Sequence, residues 1–321
     1  GIYQIEETIV LENILDRNPN LKITFRASPY EEVRLIGGKT INTFKKVSDT
    51  QILNRLKETV RNNVYYADLK TLGIKDYGTP PHRFDVLYRG KLMQVSRYPN
   101  NGWLLISSVP QQGDSMYNKG DNKVILNGKW AGRHYGRIGY EDLRPDKWQE
   151  SNDIWMHGYW VWDWKDDFQR IEKIDKEKKE IHPAKPFHWY GYEKGQRYYY
   201  FNILEEMDQP GEWYLNRKTG ILYYYPMPGE EMNTAEVIAP VIPAFIHFQG
   251  NPNQRSYVEH IQFKNLSFMY TNWQLPEGNS NDRQGSSSVP AAITLTGARH
   301  CAFDHCVIKN IGTFAVEIFN G

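Results

Sequence analysis

The sequence of 321 residues is poor in cysteine, has almost no net charge and contains no long apolar run. Its two cysteines, Cys301 and Cys306, are too few for a disulfide-rich scaffold. Lys and Arg number 39 and Asp and Glu 38, and this balance argues against nucleic-acid binding. No stretch approaches the roughly 18 apolar residues of a membrane span. There is no HExxH motif and no paired-cysteine spacing, so we expect neither a metal nor a cofactor.

Aromatic residues are abundant, with 10 Trp, 22 Tyr and 13 Phe, and strand-like patterns dominate. Tyr and Trp suit sheet faces and wet binding surfaces, because each ring has an apolar body and a polar end. Residues 84–99 predict a hairpin that turns at Arg89-Gly90, and residues 211–226 predict another with Gly220 in its turn. The apolar spacing within 49–72 predicts the main helix. Residues 43–232 are therefore expected to form an antiparallel β region.

A repeat appears after residue 233. Residues 258–271 align without gaps on 298–311, so that Ile261 corresponds to Cys301 and Leu266 to Cys306. The apolar strands before these copies also recur, since FIHFQG resembles AITLTG and AVEIFNG begins a third copy. Short apolar strands at a period of roughly 20 to 25 residues are typical of a parallel β-solenoid.

Alternation along these strands predicts which side chains face inward. His247, Thr294 and Glu317 lie between inward apolar residues, so they should form one outward column, which we call the outward column. Neighbours in it would be about 4.8 Å apart. Cys301 and Cys306 fall at inward positions, and we expect both to be buried and reduced.

Five segments of the chain carry a resemblance to known proteins: IYQIEETIVL, ITFRASPYEEVRLIGGKTI, WMHGYWVWDW, YGYEKGQRYYYFNILEEMDQPGEWYLNRKTGILYYYP and ITLTGARHCAFDHCVIKNIGTFAVEIFNG. With these segments the chain resembles the bacterial right-handed parallel β-helix proteins of glycoside hydrolase family 141, with family 120 similar in architecture. The resemblance implies a mostly β fold, in which a right-handed parallel β-helix (1–42 and 233–321) is interrupted by an inserted antiparallel β, sandwich-like domain (43–232). It also implies a periplasmic or extracellular location, and it places the family's catalytic acids on coils beyond Gly321.

The chemistry expected of such a protein is glycoside hydrolysis, which needs two carboxylates about 5 to 9.5 Å apart. Glu317 is the only acid in the outward column and is the candidate catalytic residue, although an ordinary solvated Glu is the simpler interpretation. A partner acid could come from further coils or from the cluster Asp163, Asp166 and Asp167. The candidate substrate-binding residues are Trp273, His247, Thr294, Trp160 and Asp163.

Two functions of different classes stay open. The first is a carbohydrate-active enzyme, most simply a glycosidase that acts on plant-type polysaccharide. The second is a non-catalytic glycan-binding or adhesion β-helix. A polysaccharide lyase is a weaker third option, because the outward column offers no Lys or Arg base. In every case the expected partner is an oligosaccharide or polysaccharide.

Overall fold

The chain is mostly β. Strands make up 41% of it and are arranged in many sheets, and helices make up 9%. A computed structural model describes residues 1–13, 21–80, 84–110, 125–126, 129–130, 136–149, 153–188, 190–274 and 289–320. No helix in these ranges is long and apolar enough to cross a membrane. The α-helix spans Thr50–Arg55, and the described 3-10 turns are Arg61–Asn63, Leu69–Leu72, Arg144–Lys147, Leu204–Glu206 and Pro252–Gln254.

Three sheets are built from parallel strands that are distant in sequence. The first parallel sheet contains Ile2–Gln4, Val33–Ile36, Leu266–Met269 and Val307–Lys309. The second contains Ile9–Glu12, Ile246–Gln249, Ala291–Thr296 and Phe314–Phe319. The third contains Ile23–Arg26, Ile261–Lys264 and Ala302–Asp304. A short parallel pair, Val258–Glu259 with Ala298–Arg299, accompanies them.

The strand register confirms the repeat that the sequence predicts. Phe263 lies opposite Phe303, and Phe268 lies opposite Ile308, as the gapless alignment requires. In the second sheet Ile246, Ile293 and Val316 are successive partners. Consecutive strands along the chain therefore lie in different sheets, and each pairs with its equivalent one repeat later.

Left-handed corner residues turn the chain from one sheet to the next. They have φ values between 50° and 70°, and they recur at the same offset as the strands: His260, Asn265 and Tyr270, then His300, His305 and Asn310. The His260 and His300 rings stack with centroids 5.0 Å apart. A positive φ is unusual for residues other than glycine, and here it is a repeated structural feature of the corner. The stacked histidines are therefore explained by corner geometry.

Apolar side chains fill the space between the three parallel sheets. The Phe25, Phe263 and Phe303 rings form a stack with centroids 5.0 and 5.1 Å apart. Ile246 and Phe268 are fully buried in the same cluster. Each strand buries only alternate residues, so the stacking of successive rows is what closes this core.

The burial of Cys301 and Cys306 differs from the prediction. Both thiols are free, and both are half-buried where full burial was predicted. They occupy the row containing Ala302–Asp304 and Val307–Lys309, which pairs on one side only among the described residues. Their inward direction is as predicted, because both pack against the apolar cluster between the sheets. Partial burial still raises the pKa of the Cys301 thiol.

The remaining sheets are antiparallel except for one parallel pair, Gln94–Val95 with Glu212–Asn216. A seven-stranded sheet contains Arg97–Tyr98, Leu104–Leu105, Ile138–Gly139, Trp155–Tyr159, Asp166–Asp175, Glu180–Pro183 and Arg197–Phe201. A five-stranded sheet contains Lys45–Lys46, Tyr65–Asp68, Gln94–Val95, Glu212–Asn216 and Ile221–Tyr224. A four-stranded sheet contains Gly38–Thr40, Leu87–Tyr88, Lys91–Leu92 and Val237–Pro240. Ile125–Leu126 pairs with Lys129–Trp130.

Both predicted hairpins are present. The strands Leu87–Tyr88 and Lys91–Leu92 are joined at Arg89 and Gly90, which have φ values of 46° and 72°. Gly220, at φ 77°, closes the second hairpin between Glu212–Asn216 and Ile221–Tyr224. In the first hairpin, positive φ at both Arg89 and Gly90 matches the right-handed twist of strands joined by a two-residue loop.

The predicted helix over 49–72 is much shorter than expected. Asp49 caps its first turn by accepting a hydrogen bond from the Gln51 amide, and the helix ends at Arg55. Tyr65–Asp68 then forms a strand that pairs with Ile221–Tyr224. The aromatic, strand-favouring segment finds a partner in a distant hairpin, so residues 65–68 are excluded from the predicted helix.

The antiparallel part packs against the outside of the first parallel sheet. Ile36 and Met269 point outward from that sheet and are buried against Leu87 and Ile238. The chain crosses between the two parts at Gly37, where an added Cβ would lie 2.6 Å from Ile242. The crossing is fixed because Gly37 donates its amide to Met269 and accepts from Val241. The domain boundaries at 42 and 232 stay a prediction.

The stacked phenylalanines generate a stability prediction. Phe263 is 4% exposed and Phe25 is 43% exposed. We expect Phe263→Ala to lower the free energy of unfolding by about 3 to 5 kcal/mol, because it leaves a cavity between two rings. Phe25→Ala is the matched control and should cost clearly less. Equal losses in denaturant titrations of the two variants would contradict a core organised around this stack.

Glu212 generates a prediction about pH. Its buried carboxylate accepts the Asp208 and Gln209 amides at 2.7 and 2.9 Å, and burial raises its pKa to about 7 from a usual 4.5. The folded state therefore holds the proton more tightly than the unfolded chain. The stability from this group is present below pH 4.5 and is lost as the pH rises through 7.

We expect the free energy of unfolding to fall across this window by up to roughly 3 kcal/mol because of Glu212. Glu212→Gln should remove that slope, and Glu231→Gln, at an exposed position, is the control. The measurement is denaturant unfolding at several pH values. Identical slopes in the wild type and Glu212→Gln would be inconsistent with a raised pKa.

Candidate active site

The outward column lies on the second parallel sheet. His247 pairs with Thr294, and Thr294 pairs with Glu317, while Val10 precedes them in the first row. His247, Thr294 and Glu317 are half-buried. Burial lowers the pKa of His247, so the imidazole is more readily neutral than in water. A half-buried column of this kind offers hydroxyl, imidazole and carboxylate groups to a ligand.

Glu317 has no carboxylate neighbour in the described part of this face. The adjacent outward positions are Glu12, Gln249, Thr296 and Phe319 in successive rows. Glu12 and Glu317 are three strand spacings apart, or about 14 Å. That separation exceeds the range in which two carboxylates act together on a glycosidic bond.

Trp273 lies where the parallel and antiparallel parts meet. The preceding residue, Asn272, donates its amide to the Ile242 carbonyl at 3.0 Å, and Thr271 accepts from the Gly312 amide at 3.3 Å. The Trp273 ring is 6.4 Å from the ring of Phe168 on the seven-stranded sheet. The rest of the predicted loop, 275–288, lies outside the described residues.

Trp160 and Asp163 are in contrasting environments. Trp160 is fully buried, and its indole N–H donates to the Asp167 carbonyl at 3.2 Å, so no ring face is open to a ligand. Asp163 is exposed and accepts from Arg197 at 2.5 Å. Trp162 and Trp164 stack with centroids 6.4 Å apart, and Trp164 is 48% exposed. The structure does not bring these residues to the outward column by any contact among the described residues.

The seven-stranded sheet carries an aromatic surface that the sequence analysis missed. Trp103 lies 5.2 to 6.0 Å from the rings of Tyr199, Tyr159 and His157. Arg197 covers the Tyr159 ring at 3.9 Å. We call Trp103, His157, Tyr159, Arg197 and Tyr199 the aromatic face. Alternation within WMHGY and RYYYF was the available signal, but only the register that pairs His157 with Tyr199 brings the two strands together.

A hydrogen-bonded chain runs through the aromatic face. The His157 Nε2 lies 2.8 Å from Asp166 Oδ2, and Nδ1 lies 3.0 Å from the Tyr199 hydroxyl. Asp166 accepts from Nε2–H, because a carboxylate has no proton to give, and this bond lowers the Asp166 pKa. In the neutral ring, Nδ1 then accepts from the Tyr199 hydroxyl. The arrangement fixes both ring orientations.

A cleft of about 280 Å³ adjoins the aromatic face. Phe168, Tyr199 and Trp213 contribute aromatic walls, and Asp85, Gln94 and Arg97 contribute polar groups. The Arg97 guanidinium lies 3.5 Å above the Tyr199 ring and donates to the Pro99 and Gly102 carbonyls. Ligand sites of this kind combine mainly apolar walls with a few fixed polar groups.

Metal-ligating side chains do not cluster in the part of the chain that the structure describes. No group of three or more His, Cys, Asp and Glu residues in these ranges is placed to hold an ion.

Comparison with known proteins gives a likeness in fold. No family model matches the chain, and no curated protein matches it. One solved structure, described as a glycoside hydrolase, matches with a TM-score of 0.69 and 18% identity, and the match covers 98% of this chain. It covers 54% of that protein, so the chain spans about half the length of the glycoside hydrolase that it resembles.

A second solved structure is described as a complex of XylC with xylose. It is 12% identical and has a TM-score of 0.29, with 96% of this chain and 36% of that chain covered. A similarity at that level supports no argument about fold or function. The glycoside hydrolase likeness shows a shared fold, and activity has to be argued from the residues.

The contrast between Trp160 and Trp103 is testable. Trp160 is fully buried and Trp103 is 40% exposed. We expect Trp160→Ala to cost about 3 to 5 kcal/mol in the free energy of unfolding, because it leaves a core cavity. Trp103→Ala should cost about 1 kcal/mol. Urea titrations that give equal losses would show that the two rings are not core and surface respectively.

Proposed function

We propose that this chain is part of a carbohydrate-active enzyme of the glycoside hydrolase type. The single observation that carries the proposal is the position of the partly exposed Trp103 ring among fixed polar groups on the aromatic face. Trp103 is 40% exposed, the Arg197 guanidinium lies 5.7 Å from its ring, and Asp166 is bonded to His157 on the same face. The apolar face of a pyranose ring packs on such rings while its hydroxyls bond to neighbouring polar groups. The shared fold with a described glycoside hydrolase supports the same class.

The finer architecture belongs to this proposal. We infer that the three parallel sheets are coils of a right-handed parallel β-helix, interrupted by the antiparallel part as an inserted domain over 43–232. The matched strand register and the repeated left-handed corners support this interpretation. A relation to glycoside hydrolase family 141, a plant-type polysaccharide substrate and a bacterial periplasmic or extracellular location follow from the sequence resemblance.

Glu317 is the proposed catalytic carboxylate, and its partner is proposed to come from outside the described residues. The clustered acids Asp163, Asp166 and Asp167 are engaged elsewhere. Asp163 pairs with Arg197, Asp166 pairs with His157, and Asp167 accepts the Phe168 amide at 2.8 Å. Recruiting one of them would break an existing bond and move a carboxylate of the antiparallel part across the junction. His247 and Thr294, in the same outward column as Glu317, are proposed substrate contacts, and so is Trp273 at the junction of the two parts.

A non-catalytic glycan-binding protein is the second candidate. The observation that favours it is the isolation of Glu317 from any second carboxylate among the described residues of its face. A polysaccharide lyase remains weaker, since the outward column offers no Lys or Arg. The two main candidates predict the same binding and differ only in bond cleavage.

Binding and cleavage are tested separately. The chain is expected to be retarded by soluble xylan or other wall polysaccharides in affinity gels, and Trp103→Ala should weaken this about tenfold or less, as for one lost stacking contact. Leu105→Ala, exposed on the same sheet, is the control. Absence of binding to every polysaccharide tested would reject the proposed function.

Cleavage is measured by sugar release from aryl xylosides, aryl fucosides and wall polysaccharides. Because no second carboxylate on the described face lies within catalytic range of Glu317, the 321-residue chain is expected to release little. Robust release that disappears in Glu317→Gln would show instead that the catalytic pair is already complete. Release by a longer form of the protein, lost in Glu317→Gln, would favour the enzyme over the binding module.

A further inference from the structure

The cleft of about 280 Å³ beside the aromatic face, which we call the aromatic cleft, has Arg97 in its lining. Arg97 lies directly opposite Phe201 in the seven-stranded sheet, and Tyr199 is two residues before Phe201 on the same strand. Residues that are opposite or two apart share one face of a sheet, so these three side chains leave the sheet on the same side. Phe201 and Tyr199 also line the aromatic cleft, and the Arg97 side chain therefore points toward it.

The Arg97 guanidinium is accessible and only partly hydrogen-bonded. Arg97 is half-buried, and the bond from its Nη2 to the Gly102 carbonyl, at 2.7 Å, lies at the exposed surface. A guanidinium has five N–H donors, and Arg97 uses two of them, on the Pro99 and Gly102 carbonyls. The other donors have no partner in the part of the chain that the structure describes. The group is held in place, because its Cζ lies 3.5 Å above the Tyr199 ring.

Two other arginines of this region are paired with carboxylates. Arg197 on the aromatic face bonds to Asp163 at 2.5 Å, and Arg217 in the cleft lining bonds to Asp153 at 2.9 Å. Among the described residues, no carboxylate pairs with Arg97. Arg97 is therefore the cation of the aromatic cleft that has a charge to offer to a ligand.

The pKa of Arg97 is consistent with this difference. Burial lowers it, and the neighbouring Tyr199 and Glu212 compensate only in part. Burial opposes the charge of Arg55 in the same way, but the bond to Glu205 outweighs it and raises the pKa of Arg55. A ligand carboxylate would supply to Arg97 what Glu205 supplies to Arg55, and a charge-assisted bond of this kind is stronger than a neutral one.

The rest of the aromatic cleft suits a sugar ring better than a small anion. Its accessible lining is mainly apolar, with Leu92 57% exposed and Val95 and Phe168 half-buried. Asp85 and Gln94 also line it. The Asp85 carboxylate repels a bare anion but accepts hydrogen bonds from hydroxyl groups. A ligand with a carboxylate at one position and hydroxyls at others can use both charges of the lining.

The aromatic cleft is continuous with the aromatic face. Tyr199 belongs to both, since its ring lies 5.2 Å from the Trp103 ring and 3.5 Å from the Arg97 guanidinium. Arg97 also bonds to the carbonyl of Gly102, the residue before Trp103. A glycan that stacks on Trp103 therefore passes beside Arg97.

We propose that the aromatic cleft is a subsite for a uronic acid unit of a glycan, with Arg97 donating hydrogen bonds to the sugar carboxylate. This rests on the proposed function and deepens it, because it names an acidic polysaccharide as the substrate class. The ring of the uronic acid packs on the apolar lining, its hydroxyls bond to Asp85 and Gln94, and a neighbouring sugar unit stacks on Trp103.

The test compares methyl β-glucuronide, its uncharged methyl ester and methyl β-glucoside by saturation-transfer NMR and calorimetry. The wild type is expected to bind the glucuronide roughly ten- to hundredfold more tightly than either neutral sugar, as for one charge-assisted hydrogen bond. Acetate is the comparison anion and should compete poorly, because it lacks the ring and the hydroxyls. These comparisons use the wild type alone, so they do not depend on how a variant folds.

Arg97→Gln should abolish the preference for the glucuronide, because it removes the charge. A purely structural role of Arg97, in holding the Pro99 and Gly102 carbonyls, would weaken all three sugars equally and leave their ratio unchanged. Arg299→Gln is the matched control. It removes the same charge from an exposed arginine that lies 3.3 Å above the Tyr257 ring in the parallel part, and it should keep the wild-type ratio.

The outcomes separate this proposal from the proposed function. Equal affinity of the wild type for the glucuronide and the glucoside would overturn the uronic acid subsite and leave a glycan-binding protein. A preference that persists in Arg97→Gln, or acetate that competes as well as the glucuronide, would also overturn it. If the wild type binds none of the three sugars but is still retarded by polysaccharides, the subsite alone is rejected. Loss of both kinds of binding rejects the proposed function as well.

Discussion

The apolar interior between the three parallel sheets is the constraint on which the rest of the molecule depends. Each strand contributes two or three inward side chains, too few to exclude water alone, so burial is completed only when rows stack in register. The stack of Phe25, Phe263 and Phe303 shows this most directly, because the exposure of each ring depends on the row beside it. Register is thereby fixed, since a slip of one residue would turn every inward side chain outward.

That register also determines the outer surface. Once Ile246 and Ile293 face inward, His247 and Thr294 must face outward, and Glu317 follows in the next row. On the first parallel sheet the same rule points Ile36 and Met269 outward, where the antiparallel part covers them. One outward surface is therefore polar and accessible, and another is apolar and occupied.

Gly37 joins the parallel part to the antiparallel part that covers it. The chain leaves the first parallel sheet at Ile36 and enters the antiparallel sheet at Gly38, so the two parts approach within one residue. A side chain at 37 would collide with Ile242 and with the Tyr270 carbonyl. The close approach brings segment 271–274 against both parts, since the Asn272 amide is bonded to the Ile242 carbonyl and the Trp273 ring lies 6.4 Å from Phe168.

The sequence by itself determined the repeat, the inward and outward alternation and the two hairpins, because these depend on local periodicity and on turn residues with restricted φ. It did not determine how far the helix after Asp49 extends, because Tyr65–Asp68 pairs with a strand more than 150 residues away. The aromatic face could not be predicted from the sequence either. His157 meets Tyr199 only through long-range strand pairing, and no local pattern encodes which distant side chains will lie on one face.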